Sequence, residues 1–231
     1  MNKNFLRGMK LGIPIALGYY PASFSFGIIA ISYGLTWWQA LLISMTTLTS
    51  AGQFAGIATM RIPGDYMGMV ISQLTINARY SVMGISLAQK MNERFSGLRR
   101  LLLSFFLTDE IFAMANMEKE VTPELFAGLA VAPYFGWALG TLSGSLLGAV
   151  LPEMLLNAFG MALYGLFIAV VVPKAKTERP VGIAVAMAAA IGTVLYYIPM
   201  GMTTGIRACL AAVIAAVIAS CLFDMGEEDA A

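Results

Sequence analysis

The sequence predicts an all-α integral membrane protein, a polytopic bundle of about seven or eight transmembrane segments with at least one of them broken or re-entrant. Three observations carry that expectation. Of 231 residues, 59% are hydrophobic and 12% charged, and the mean hydropathy is +0.78. Too little polar surface is left to cover a water-soluble core. Apolar stretches follow one another along the chain, each near the about 20 residues that a hydrocarbon layer about 30 Å thick requires. Most charged residues gather between those stretches, and with a formal charge of +1 no basic or acidic block points to nucleic acid.

The membrane-embedded stretches are 11 to 33, 37 to 60, 66 to 89, 98 to 117, 125 to 150, 154 to 173, 181 to 198 and 203 to 223. Their linkers are too short for a soluble domain, so a single transmembrane transporter domain over 1–231 is expected. Lys3, Arg7 and Lys10 precede the first stretch as in a signal peptide. The run from Leu11 to Tyr33 is too long for such a leader, and no small-residue cleavage site follows, so it reads as a membrane helix. In the second stretch Thr46, Thr49, Ser50 and Gln53 share a helical face, and Ser50-Ala51-Gly52-Gln53 interrupts the apolar pattern.

Charge bears on that interruption. The N-terminal tail, the loop Lys90 to Arg100 and the loop Lys174 to Arg179 are all basic, and the positive-inside rule assigns all three to the cytoplasm. Three full crossings would separate the first two. Either one intervening segment, the second above all, is broken or re-entrant, or the rule fails at one loop. In the fifth stretch Gly128, Ala132, Gly136, Gly140, Gly144 and Gly148 recur every fourth residue, a smooth face for close helix packing. Ala208, Ala212, Ala216 and Ser220 form a similar stripe in the last.

No metalloprotease, nucleophile-elbow or phosphate-loop motif is present, and the chain has no histidine, so neither an enzyme nor a metal or other cofactor is expected. Cys209 and Cys221 lie in one apolar run, roughly 18 Å apart along a helix, too far to pair. What stands out is Arg79, flanked by Asn77 and Tyr80 in the middle of the third stretch, and Asp109 with Glu110 in the middle of the fourth. Each such charge costs about 2.5–3.5 kcal/mol at the bilayer centre and so faces an interior. If the two stretches form a hairpin, Arg79 and Asp109 lie at one depth, about 16 Å from the connecting loop. They then form either a buried packing pair or the border of a transport cavity, with Arg79 near a substrate carboxylate and Asp109 or Glu110 near an ammonium or a proton.

These same places resemble the AzlC-type large subunit of bacterial branched-chain amino acid exporters. Gly12-Ile13-Pro14 with Pro21 and Phe26-Gly27 is similar to the family's opening helix, and Ser50-Ala51-Gly52-Gln53-Phe54 to its small-residue run. Asn77-Ala78-Arg79 with Met83-Gly84 resembles its Asn-x-Arg signature, and Leu107-Thr108-Asp109-Glu110 its Thr-Asp-Glu. Tyr80 stands where the family often has histidine. The resemblance implies a secondary exporter of leucine, isoleucine, valine or methionine in the bacterial inner membrane, acting with a small AzlD-type membrane subunit. The expected substrate-binding residues are Ser50, Gly52, Gln53, Asn77, Arg79 and Tyr80, with Asp109 and Glu110 for ion or proton coupling and Gly136, Gly140, Gly144 and Gly148 for packing. A membrane scaffold or accessory subunit and a passive channel are the alternatives.

Overall fold

The computed structural model describes residues 2–152, 175–198 and 204–223, with single positions between 154 and 172. The expected sixth segment and the side chains of Ala208, Cys209 and Ala212 lie largely outside the described residues. The chain forms two compact units, Met1–Leu166 and Phe167–Ala231. Among the described residues the regular elements are helices, joined by a lone bridge between Met91 and Val121.

The first unit holds α1 (Lys3–Ser32), α2 (Trp37–Thr47), α3 (Ser50–Met60), α4 (Tyr66–Asn77), α5 (Arg79–Ala88), α6 (Gly97–Ser104), α7 (Asp109–Asn116) and α8 (Pro123–Leu147), which ends in a 3-10 turn at Gly148–Val150. The second holds α9 (Arg179–Tyr197) and α10 (Thr204–Leu222), tied by Arg207 Nη1 donating to Tyr196 O at 2.9 Å. By length and composition α1, α8 and α9 can each cross a bilayer. Helix α1 starts at Lys3 rather than near Leu11, because the Asn2 side chain accepts from Asn4 N at 3.1 Å and caps it there.

Helices α1 and α8 run parallel. Gly8 faces Leu125 and Leu129, Ala16 faces Gly136, Phe24 faces Gly144 and Ile28 faces Gly148, so the numbers rise together along both helices. The glycine stripe of α8 therefore packs on α1, whose own Gly8, Gly12 and Ala16 keep the same four-residue spacing. At their common start Arg7 pairs with Glu118 at 2.9 Å.

Between them the chain makes two hairpins and a crossing. Helix α2 leaves from beside Tyr33, the chain turns at Leu48–Thr49, and α3 comes back until the Arg61 guanidinium stacks 4.6 Å over the Tyr33 ring. Helices α4 and α5 then run to the far end, where Lys90 Nζ donates to Asn116 O at 2.5 Å and Val121 N to Lys90 O at 2.8 Å. From that end α6 enters, turns at 105–108, and α7 returns to Asn116. Apolar clusters match this path. Phe26, Ala30, Ala40 and Ile57 sit at one end and Leu87, Phe95, Ile111, Val121 and Phe126 at the other. Midway, Leu48 from one turn and Phe106 from the other share a cluster with Tyr19 and Trp137.

The segment 37 to 60 is thus a helical hairpin, the shape that the re-entrant reading of the basic loops expects. The segment 98 to 117, expected as a straight crossing, is a second. Each half-helix of eight to eleven residues rises only about 12–16 Å, about half the hydrocarbon thickness. The N-terminal tail and the 90–96 loop lie at one end of the unit, as their shared positive charge requires. In a background without Cys209 and Cys221, cysteines at Lys3 and Glu93 should react with an impermeant maleimide from one side and a cysteine at Pro63 from the other. Labelling of positions 3 and 93 from opposite sides would exclude the hairpins.

Candidate functional site

The polar groups gather where the helices are interrupted. At the first turn Leu48 (φ 39°) and Ser50 (φ 22°) have left-handed backbones, which cost about 1–3 kcal/mol each for residues other than glycine and collect at functional sites. Thr49 is the N-cap residue of α3 yet makes no side-chain capping bond. Its hydroxyl donates instead to Asn77 Oδ1 at 2.5 Å and accepts from Tyr80 at 3.3 Å. Asn77 Nδ2 donates to Gln73 Oε1 at 3.2 Å, and Gln73 Nε2 to Gly52 O at 2.9 Å. Gly52 has no room for a side chain, since a Cβ there would meet Thr49 Cγ2 at 2.7 Å. This network ties the α2–α3 turn to α4 and α5.

The second interruption is Ala78, after which Arg79 opens α5. Arg79 Nη1 lies 2.5 Å from Asp109 Oδ2, and its guanidinium carbon is 5.2 Å from the Tyr80 ring centre. At the third, Thr108 caps α7 by accepting from Ile111 N at 3.3 Å. That places Asp109 and Glu110 in the first turn, where the helix dipole favours anions. The two acids then part. Asp109 takes Arg79, whereas Glu110 accepts from the Tyr19 hydroxyl, which also lies 2.7 Å from Thr108 Oγ1.

Two features distinguish this cluster from a sealed packing contact. The Arg79 and Asp109 side chains remain 35% and 27% accessible, so the rest of the chain does not seal the pair. In addition Ser50 Oγ, Gln53 Oε1, Arg79 Nε and Trp137 Nε1 are buried without a hydrogen-bond partner, each at a desolvation cost of about 1–3 kcal/mol. The unpaired Ser50 Oγ and Gln53 Oε1 beside the strained turn are what a polar ligand would complete.

The expected residues Ser50, Gly52, Gln53, Asn77, Arg79, Tyr80, Asp109 and Glu110 all lie at or beside the three interruptions. Gly136, Gly140, Gly144 and Gly148 lie on the α1 contact instead. Sequence reasoning passed over Tyr19, and Thr108 entered it only as part of the Thr-Asp-Glu run. Tyr19 could have been noticed as half of a tyrosine pair before Pro21 in the middle of an apolar helix, where a phenol needs a partner. Tyr19→Phe removes the hydroxyl that meets Glu110 and Thr108 while keeping the ring on Trp137, and the solubilised variant is expected to keep the folded yield of the unaltered protein. A loss of folded yield would make the Tyr19–Glu110 contact a packing feature.

Apolar helices enclosing charged side chains at their interruptions define a helical membrane protein with an interior polar site. The family model described as AzlC protein matches residues 14–151, and the chain belongs to the AzlC family. It is similar to the inner membrane protein YgaZ of Escherichia coli K12, with 26% identity over 218 residues, 90% of this chain and 89% of the relative. An uncharacterized membrane protein of Archaeoglobus fulgidus is 28% identical over 174 residues, 74% of this chain and 76% of its own. One of Helicobacter pylori 26695 is 31% identical over 155 residues, 63% and 66% respectively. No solved structure matches the chain.

Proposed function

We propose that this chain is a secondary exporter of leucine, isoleucine, valine or methionine, a multi-pass protein of the bacterial inner membrane that acts as one transporter domain with a small AzlD-type subunit. The observation that carries this is the accessible Arg79–Asp109 pair at the meeting point of three interrupted helices. In transporters, half-helix N-termini at the midplane receive anionic substrate groups. Here the uncapped start of α3, with Ser50 and Gly52, and the nearby Arg79, Asn77 and Tyr80 receive the carboxylate. Asp109 holds Arg79 until substrate arrives, and Glu110, hydrogen-bonded to Tyr19, carries the proton. No step makes or breaks a substrate bond, so the protein acts as a carrier and not as an enzyme. Of its seven or eight segments, two are re-entrant hairpins.

Cells lacking their own aliphatic amino acid exporters, loaded with Ala-Leu or Ala-Val dipeptides, test this. Expression of the chain with the small subunit should release free leucine and valine against their gradients, and either protein alone should release little. Full activity of the single chain would remove the subunit from the proposal. No release in any combination would refute export.

A further inference from the structure

A cavity of about 190 Å³, open at its Met60 side, lies between the α2–α3 hairpin and α4, lined by Ile43, Gly56, Ile57, Met60 and Met69 with Thr49, Gln53 and Gln73 at its polar positions. It exceeds the about 150 Å³ apolar cavity that admits benzene, so an aliphatic side chain fits. Gln53 is only 3% exposed. Its amide orientation is fixed because Nε2 donates to Ile43 O at 3.1 Å, which leaves Oε1 a buried acceptor without a partner. An acceptor needs an N–H or O–H donor, and an apolar wall needs hydrocarbon.

Resting on the transport function proposed above, we infer that this cavity is the side-chain subsite: the substrate's aliphatic chain lies against Ile57, Met60 and Met69, and its ammonium donates to Gln53 Oε1. Met60 and Met69 adapt to branched and unbranched chains because thioethers are flexible and polarizable. Gly56 sets the depth. A Cβ there would meet nothing nearer than Gln73 Nε2 at 3.5 Å, an ordinary contact, so a side chain can enter the cavity without moving the backbone.

The test compares release of valine and methionine from cells loaded with Ala-Val or Ala-Met and expressing the chain with its neighbouring small subunit. Gly56→Val should raise the valine-to-methionine ratio of release at least tenfold, and Met69→Ala, which enlarges the cavity, should shift it the opposite way. Folded yield is checked by size-exclusion profile, and either variant alone suffices. An unchanged ratio in a folded variant, with valine still exported, overturns the subsite and leaves the exporter intact. No export of either amino acid by the unaltered chain overturns both.

Discussion

Arg79→Gln and Asp109→Asn are each expected to abolish export, because each strands its partner. Breaking a fully buried pair costs on the order of 3–5 kcal/mol, most of it the isolated charge; the pair here, 2.5 Å apart at the interruptions of α4–α5 and α6–α7 and still 35% and 27% accessible, carries part of that cost. The double variant Arg79→Gln/Asp109→Asn separates two roles. With no charge left stranded, folded yield should return to that of the unaltered protein. Export should stay more than a hundredfold down, because the carboxylate has lost its guanidinium. The measurement is efflux from dipeptide-loaded cells beside the monodisperse fraction after solubilisation. A double variant that exports at the normal rate would reduce the pair to a packing contact.

Gly144→Leu should act on folding first. A Cβ at Gly144 would lie 2.8 Å from the carbonyl carbon of Phe24 and 2.9 Å from its Cα, and one at Gly140 would lie 3.2 Å from Phe24 N. These are backbone atoms of α1, which cannot step aside as a side chain does. The helices would have to separate, losing close contact along their parallel interface. Overpacking of this kind costs about 1–3 kcal/mol or more. Most of the folded protein should disappear from the solubilised fraction, with the residue keeping its normal substrate preference. Normal yield with altered preference would put this face on the transport path.

How much of this was legible in the sequence depends on scale. Apolar length sufficed for α1, α8 and α9, and the four-residue glycine period sufficed for the packed face of α8. The interruption at Ser50 showed through its polar residues and through the basic loops. It falls slightly earlier than that run, because the left-handed residues are Leu48 and Ser50 themselves. The turn at 105–108 was hidden, since Phe105, Phe106 and Leu107 continue the apolar pattern through it. Apolar composition tells of burial, not of backbone direction. The pairing of Arg79 with Asp109 was anticipated from equal depth along two unbroken helices. The neighbours are those residues, but the path differs, for helix α6 stops at Ser104 and Thr108 starts a new one. Tyr19 went unseen because its partners come from an element 89 to 91 residues away, a separation that local patterns do not encode.

The tip-to-tip meeting of the hairpins has an electrical consequence. Between α1 and α8 the column of the two hairpins is built of half-helices, and among the described residues its halves meet around Tyr19, Tyr134 and Trp137 through Leu48 and Phe106. If water follows each hairpin to its tip, the membrane voltage drops across that narrow seam instead of the full about 30 Å of hydrocarbon. A single charge passing the seam then feels nearly the whole potential, about 2.3 kcal/mol per 100 mV. A charge carried the whole way across the seam, past Glu110 and Tyr19, would draw that energy over a few ångströms, and transport tied to it would rise and fall with the voltage of the cell.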